Sequence, residues 1–315
     1  MRRKEIVSVM ILSLLIVSWL IFFQKQLEIF VFNSFFNKPS EILLANISQN
    51  IPQQETPKPI ETPEFQAKSV LSLKINEINN EEILYQKNIQ EKLPIASLTK
   101  LMTAVIVLEN YDSASSPQDP LDEKILISKE AVAQQTDIGK LIIGESVSIK
   151  NLLNSMLIES SNDAAYALAE KIGVEPFLEM MNSKARELKL LNTNFSNPTG
   201  LDGNKNLSTS EDLAKLVKYI IQNHPEILEI TSKVSTEILN DDGTLHHLAV
   251  NTNELLGKIP NIIGGKTGYN EEAMGCLILL LEKENNYLIN IILGSPDRFA
   301  EMEKLVNWLK ETKQF

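Results

Sequence analysis

Three short motifs fall in order along this chain: Ser97-Leu98-Thr99-Lys100, Ser160-Ser161-Asn162 and Lys266-Thr267-Gly268. Singly, each is a common string. Ser-x-x-Lys recurs by chance in helices, Ser-x-Asn serves as a helix cap, and Lys-Thr-Gly is a frequent turn triplet. Together they supply a hydroxyl, two amines and an amide, and a fold that uses them must bring distant segments into one cleft. A hydroxyl is a poor nucleophile until a base takes its proton. Ser97 and Lys100 sit three apart on a predicted helix, which puts both on one face. Lys100 becomes a base only when its pKa falls from about 10.4 to about 7.5, a bias of roughly 4 kcal/mol against the charged form. Burial and a nearby cation would supply that bias, and Lys266 is the candidate cation. Ser160 is then the candidate proton relay and Asn162 a donor to a substrate backbone. Lys266 is also the candidate anchor of a substrate carboxylate, with Asn162, Thr267, Gly268 and Tyr269 as the other substrate-binding candidates. The backbone N–H groups of Ser97 and Tyr269 are candidate oxyanion donors.

Composition narrows the alternatives. A net charge of -11 argues against nucleic-acid binding. The single cysteine, Cys276, excludes an intramolecular disulfide. Its setting in Cys276-Leu277-Ile278-Leu279-Leu280 reads as a buried, inert thiol. The three histidines, His224, His246 and His247, offer no zinc pattern and little material for a Ser-His-Asp triad. On a strand, His246 and His247 would project in opposite directions.

The N-terminus reads Met1-Arg2-Arg3-Lys4 followed by an apolar run from Ile6 to Phe23. Basic residues before an apolar stretch near the minimum spanning length predict a signal anchor or signal peptide. No small-x-small cleavage site follows, and Trp19, Phe22 and Phe23 resemble an interfacial aromatic belt, so an uncleaved anchor is favoured. With the basic end cytoplasmic, the rest of the chain is expected outside the membrane. A second apolar patch runs from Ile29 to Phe36. These features define an anchor and juxtamembrane segment over 1–36. Pro39, Pro52, Pro57, Pro59 and Pro63, interleaved with Gln, Asn, Thr and Glu, define a spacer over 37–66. The remaining segment, 67–315, is the expected folded domain.

Within it, Val70 to Lys74 and Ile83 to Tyr85 predict a hairpin. After Pro94 a helix buried on most faces carries Ser97 at its start, where unsatisfied N–H groups favour developing negative charge. Helices are predicted over Asn151 to Ile158, Ala164 to Lys171, Pro176 to Leu190 and Thr209 to Gln222, with Ser160 and Asn162 on the connection between the first two. Asn197 to Leu201 is a turn by composition. Ile262 to Gly268, Leu277 to Glu282 and Tyr287 to Leu293 predict strands, and Arg298 to Lys310 a last helix. Strands at both ends around a helical middle predict an α+β domain: an antiparallel sheet built from both ends, flanked by helices, with an inserted all-helical lobe.

The segment Pro94 to Thr103 resembles the active-serine segment of the low-molecular-mass penicillin-binding proteins, the serine D-alanyl-D-alanine carboxypeptidases. Asn197 to Leu201, Ser208-Thr209 and Gly265 to Tyr269 resemble that family in the same order. The resemblance implies a penicillin-binding/β-lactamase-like fold. It also implies a D,D-carboxypeptidase: Ser97 acylated by a peptidoglycan stem peptide ending in D-Ala-D-Ala, β-lactams acylating the same serine, and no metal or organic cofactor. Two departures stand out. Many members carry a C-terminal β domain and amphipathic anchor, whereas this chain ends soon after the expected catalytic domain. The middle residue of the second motif is Ser161, where the family usually has glycine. The family's late arginine near the substrate carboxylate would correspond to Arg298. Two other readings stay open. A class A β-lactamase shares the motifs but needs a loop glutamate, for which Glu170, Glu175 and Glu179 look too helical. A membrane-tethered β-lactam or peptidoglycan sensor would acylate without peptidase turnover.

Overall fold

The computed structural model describes residues 18–28, 61–76, 80–111, 119–134, 140–201, 205–240, 242–284 and 286–314. The chain divides into two units, Met1–Pro59 and Ile60–Phe315. In the first, residues 18–28 form an exposed helix. Among the described residues no helix is long and apolar enough to cross a membrane. Most of the expected anchor and spacer lies outside them.

The second unit is built on an antiparallel sheet in the order β2-β1-β7-β6-β5. Here β1 is Ser69–Asn76 and β2 Glu81–Lys87, the expected hairpin; β5 is Ile262–Asn270, β6 Met274–Lys283 and β7 Asn286–Ser295. Both ends of the domain therefore feed one sheet, as the strand pattern predicts. Between them lie α1 (Thr99–Tyr111, entered through a 3-10 turn at Ala96–Leu98), α2 (Ile149–Ile158), α3 (Asn162–Ile172), α4 (Val174–Glu187), α5 (Ser210–Asn223) and α6 (Pro225–Thr231). A small hairpin, β3 (Ser235–Leu239) and β4 (Leu245–Val250), follows, and α7 (Arg298–Glu311) closes the domain. Glu170 lies inside α3, and Glu175 and Glu179 inside α4.

The unbroken apolar run of β6 follows from burial on both faces. Leu277, Leu279 and Leu281 pack with Met302, Leu305 and Leu309 of α7. Cys276, Ile278 and Leu280 join the larger core formed with the helical lobe. α1 is buried along Thr99 to Leu108, so it forms the spine of that lobe. Phe65, which composition assigns to the spacer, is 6% exposed and stacks edge-on against Tyr85 with centroids 5.0 Å apart. The carboxylate of Glu301 accepts from the backbone N–H groups of Gln66 and Ala67, tying the start of the domain to α7.

Two expectations are corrected. His246 and His247 do not diverge: their Nδ1 atoms lie 2.6 Å apart. Ile238 pairs with His247 and Leu239 with Leu245, so His246 is the extra residue of a β-bulge, which breaks the alternation of side chains. Asn162 is also the first residue of α3 rather than part of the connection, because Ser161 caps the helix by accepting from Ala164 N–H at 3.1 Å.

Candidate active site

The 3-10 turn before α1 presents Ser97, and one turn later α1 presents Lys100, as their spacing requires. Lys100 is fully buried. Its Nζ lies 2.9 Å from Ser97 Oγ, 2.6 Å from Asn162 Oδ1 and 2.6 Å from the Thr199 carbonyl. Burial first, and the charge of Lys266 second, push its pKa well below the ordinary lysine value. A neutral amine has two N–H bonds and one lone pair. The two N–H groups satisfy the Asn162 and Thr199 oxygens, which leaves the lone pair for the Ser97 hydroxyl proton. This is the geometry of a general base.

Lys266 enters from β5. Its Nζ donates to Ser160 Oγ at 2.9 Å and to the Thr267 carbonyl at 2.9 Å. It is 1% exposed, and burial followed by the Arg298 charge brings its pKa down to about 7. Gly268 is required by close approach: a Cβ there would lie 3.0 Å from the Ile95 carbonyl oxygen and 3.1 Å from the Ser97 nitrogen. The Lys-Thr-Gly strand thus runs directly beside the serine. Thr267 Oγ1 is held by Thr252 Oγ1. The side chain of Tyr269 is 66% exposed at the rim, with the Arg298 guanidinium 5.9 Å from its ring centre.

Ser160 occupies the turn between α2 and α3 with φ +66°, an uncommon conformation for serine. The structure thus brings Ser97, Lys100, Ser160, Asn162, Lys266, Thr267 and Gly268 together, with Tyr269 at the edge. The Ser161 hydroxyl is spent on the helix cap, accepting from Ala164 N–H. Cys276 stays outside the chemistry: burial raises its pKa to about 11.

Two contributors escape motif reading. Thr199 acts through its carbonyl, which no side-chain pattern reveals. Asn197 shapes that turn, its Oδ1 accepting from Thr199 N–H at 3.2 Å and Gly200 N–H at 2.7 Å. The Asn-Pro-Thr-Gly composition marks the turn, yet only the fold shows that it reaches Lys100. Asp163, 4% exposed at the start of α3, has no partner for Oδ1, and burial raises its pKa to about 6. Its folded pKa exceeds the unfolded value, so ionisation penalises the fold. That penalty is absent below pH ~4, grows as the pH climbs towards 6, and is complete above. Asp163→Asn is expected to raise Tm at pH 8 and to leave it unchanged at pH 4. A Tm difference independent of pH would refute this.

Comparison with known proteins shows what the chain is similar to. A D-alanyl-D-alanine carboxypeptidase family profile matches residues 55–297. D-alanyl-D-alanine carboxypeptidase DacF of Bacillus subtilis is 33% identical over 232 residues, 72% of this chain and 58% of that protein. The chain therefore spans under two thirds of that relative. A D-alanyl-D-alanine endopeptidase of Pseudomonas aeruginosa is 31% identical over 245 residues, 75% of this chain and 76% of that one. The ampicillin-bound structure of penicillin-binding protein D2 from Listeria monocytogenes superposes with a TM-score of 0.66. It shares 33% identity and covers 79% of this chain and 98% of that chain.

Proposed function

The chain belongs to the D-alanyl-D-alanine carboxypeptidase family, and from that premise we propose that it removes the terminal D-alanine from peptidoglycan stem peptides through an acyl-enzyme on Ser97. The observation that carries this reading is the buried Lys100 amine, 2.9 Å from Ser97 Oγ with its other two contacts on oxygen acceptors.

In this mechanism the peptide carboxylate sits against Lys266, with Thr267 and Arg298 nearby. Ser97 Oγ attacks the carbonyl of the penultimate D-alanine as Lys100 takes its proton. The oxyanion is met by the N–H groups of Ser97 and Tyr269. Ser160, hydrogen-bonded to Lys266, passes its proton to the leaving nitrogen and takes the one that Lys100 carries, so the C–N bond breaks, D-alanine departs and Lys100 is again a neutral base. Water then attacks the ester carbonyl while Lys100 takes the water's proton; the acyl C–O bond breaks, Lys100 delivers that proton to Ser97 Oγ, and the hydroxyl and the neutral amine are both regenerated. A β-lactam follows the same first step; its leaving nitrogen stays tethered and the ester persists. The Listeria structure, bound to ampicillin, supports inhibition by this class.

Lys266 holds an anion only while protonated. With a pKa of about 7 in the free site, its cationic fraction falls as the pH rises above that value. Peptide KM is therefore expected to increase between pH 7 and 9, while a peptide amidated at its C-terminus shows no such trend. Parallel KM profiles for the two peptides would remove Lys266 from carboxylate binding.

The N-terminal basic and apolar sequence supports a membrane-anchored protein with its catalytic domain outside the cytoplasmic membrane. Recovery of full-length chain solely in a cell's soluble fraction would refute the anchor. For the activity, the wild-type protein is incubated with a peptide ending in D-Ala-D-Ala and the products are followed by mass. Release of one D-alanine is expected. Hydrolysis of a cross-linked dimer with no action on the free peptide would replace this reading with an endopeptidase.

A further inference from the structure

Ser160 needs support, because a non-glycine residue at φ +66° persists only where its surroundings hold it. The residue before it supplies a buried chain of polar groups that the mechanism above does not use. Glu159, 4% exposed, ends α2. Its Oε1 accepts from Ser155 Oγ at 2.7 Å and lies 2.7 Å from His247 Nε2. His247 Nδ1 lies 2.6 Å from His246 Nδ1. Beyond it, His246 Nε2 is 3.1 Å from Glu145 Oε2 but outside hydrogen-bonding alignment. Glu145 and Glu159 are the charged groups that face the two rings among the described residues.

The hydrogens can be placed by elimination. Glu159 accepts, so His247 Nε2 carries a proton. A neutral His247 then offers a lone pair at Nδ1, and His246 must donate there from its own Nδ1. The neutral chain runs His246 to His247 to Glu159. One position stays open for a further proton, His246 Nε2, which faces the Glu145 carboxylate. The bulge in β4 is what turns both rings to the same side and makes the chain continuous.

We propose that Glu159, His247 and His246 are positioning residues for the acylation step, fixing the Ser160 turn so that Ser160 Oγ stays on Lys266. This rests on the acyl-enzyme reading and extends it. Glu159 pins the end of α2 to β4, and two backbone bonds complete the clamp: Ser161 N–H to the Ser155 carbonyl at 3.2 Å and Thr252 N–H to the Ile158 carbonyl at 3.1 Å.

The test uses the full chain and a fluorescent penicillin, resolving non-covalent affinity from the acylation rate constant. Glu159→Ala is expected to slow acylation ~10-fold with affinity unchanged, the effect of a loosened catalytic geometry. Glu159→Gln, which still accepts from both partners, is expected to restore it. His247→Ala, which takes the donor away from Glu159 Oε1, is expected to slow acylation by a similar factor, and His247→Gln, which keeps a donor there, to recover most of it. A lowered Tm in Glu159→Ala with normal acylation, or normal acylation in His247→Ala, would overturn the proposal. Wild-type protein that fails to take up the label would overturn the acyl-enzyme reading and this inference with it.

Discussion

Replacing Lys100 by alanine is expected to slow acylation of Ser97 by ~10^3- to 10^4-fold, the upper part of the range for a general base. Three features of the site set this size. Lys100 Nζ, 2.9 Å from Ser97 Oγ, is the basic nitrogen in contact with that hydroxyl among the described residues. Desolvation and Lys266 hold it below the ordinary lysine range, so the neutral form is available. Among the described residues the three histidines make their polar contacts elsewhere, His224 with Glu226 and the other two with each other and Glu159, so none substitutes as the base. The fold is expected to survive. The change leaves Asn162 Oδ1 and the Thr199 carbonyl without the Lys100 donor, at ~1–3 kcal/mol. It also removes an amine that is costly to bury. Lys100→Arg is expected to fail equally, because a guanidinium keeps its charge and has no lone pair to offer. Ser97→Ala sets the floor, with neither β-lactam labelling nor D-alanine release. Stopped-flow labelling with a fluorescent penicillin measures the series. Acylation of Lys100→Ala within tenfold of wild type would take the base role away from this residue.

Gly200→Ala is expected to give the largest loss of stability from one added carbon. Gly200 has φ +84°, and a Cβ there would lie 2.0 Å from the Ala96 carbonyl oxygen and 2.9 Å from the Ser97 nitrogen. The atoms met are backbone, so no rotamer change relieves the overlap. The left-handed conformation alone costs ~1 kcal/mol, and the forced displacement at least ~2 kcal/mol more. For a domain of this size that is a fall in Tm of about 6 to 12 °C. Two outcomes are open to the displaced backbone, and both injure the site. Either the 197–201 turn withdraws the Thr199 carbonyl from Lys100, or Ala96 moves and carries Ser97 with it. Gly243 provides the control. It has φ +81° with nothing within 4 Å of the place an added methyl group would take, so Gly243→Ala incurs only the backbone term. Equal losses at the two glycines would show that conformation, not close approach, governs Gly200.

Much of the architecture was legible because it rests on local pattern. The β6 run of apolar residues, the all-round burial of α1 and the apolar spacing of α2 each reflect a single element's relation to a core, and periodicity encodes that relation. Motif spacing likewise placed Ser97 and Lys100 on one face, since three residues make nearly one helical turn. The bulge at His246 was not legible. It depends on a register shift against β3, and register is a property of two strands. The same holds for Ser161, read as a departure from the family and found to be the cap of α3.

The sequence by itself determined which groups were available: one activated hydroxyl, two lysines, a relay serine and an amide, with too few histidines for a triad. Only the tertiary structure decided that the Lys100 amine spends its hydrogens on Asn162 and the Thr199 carbonyl and turns its lone pair to Ser97. The physical reason is that a buried amine's protonation state depends on the oxygens and charges surrounding it. Those come from α3, the 197–201 turn and β5, which meet only when the chain has folded.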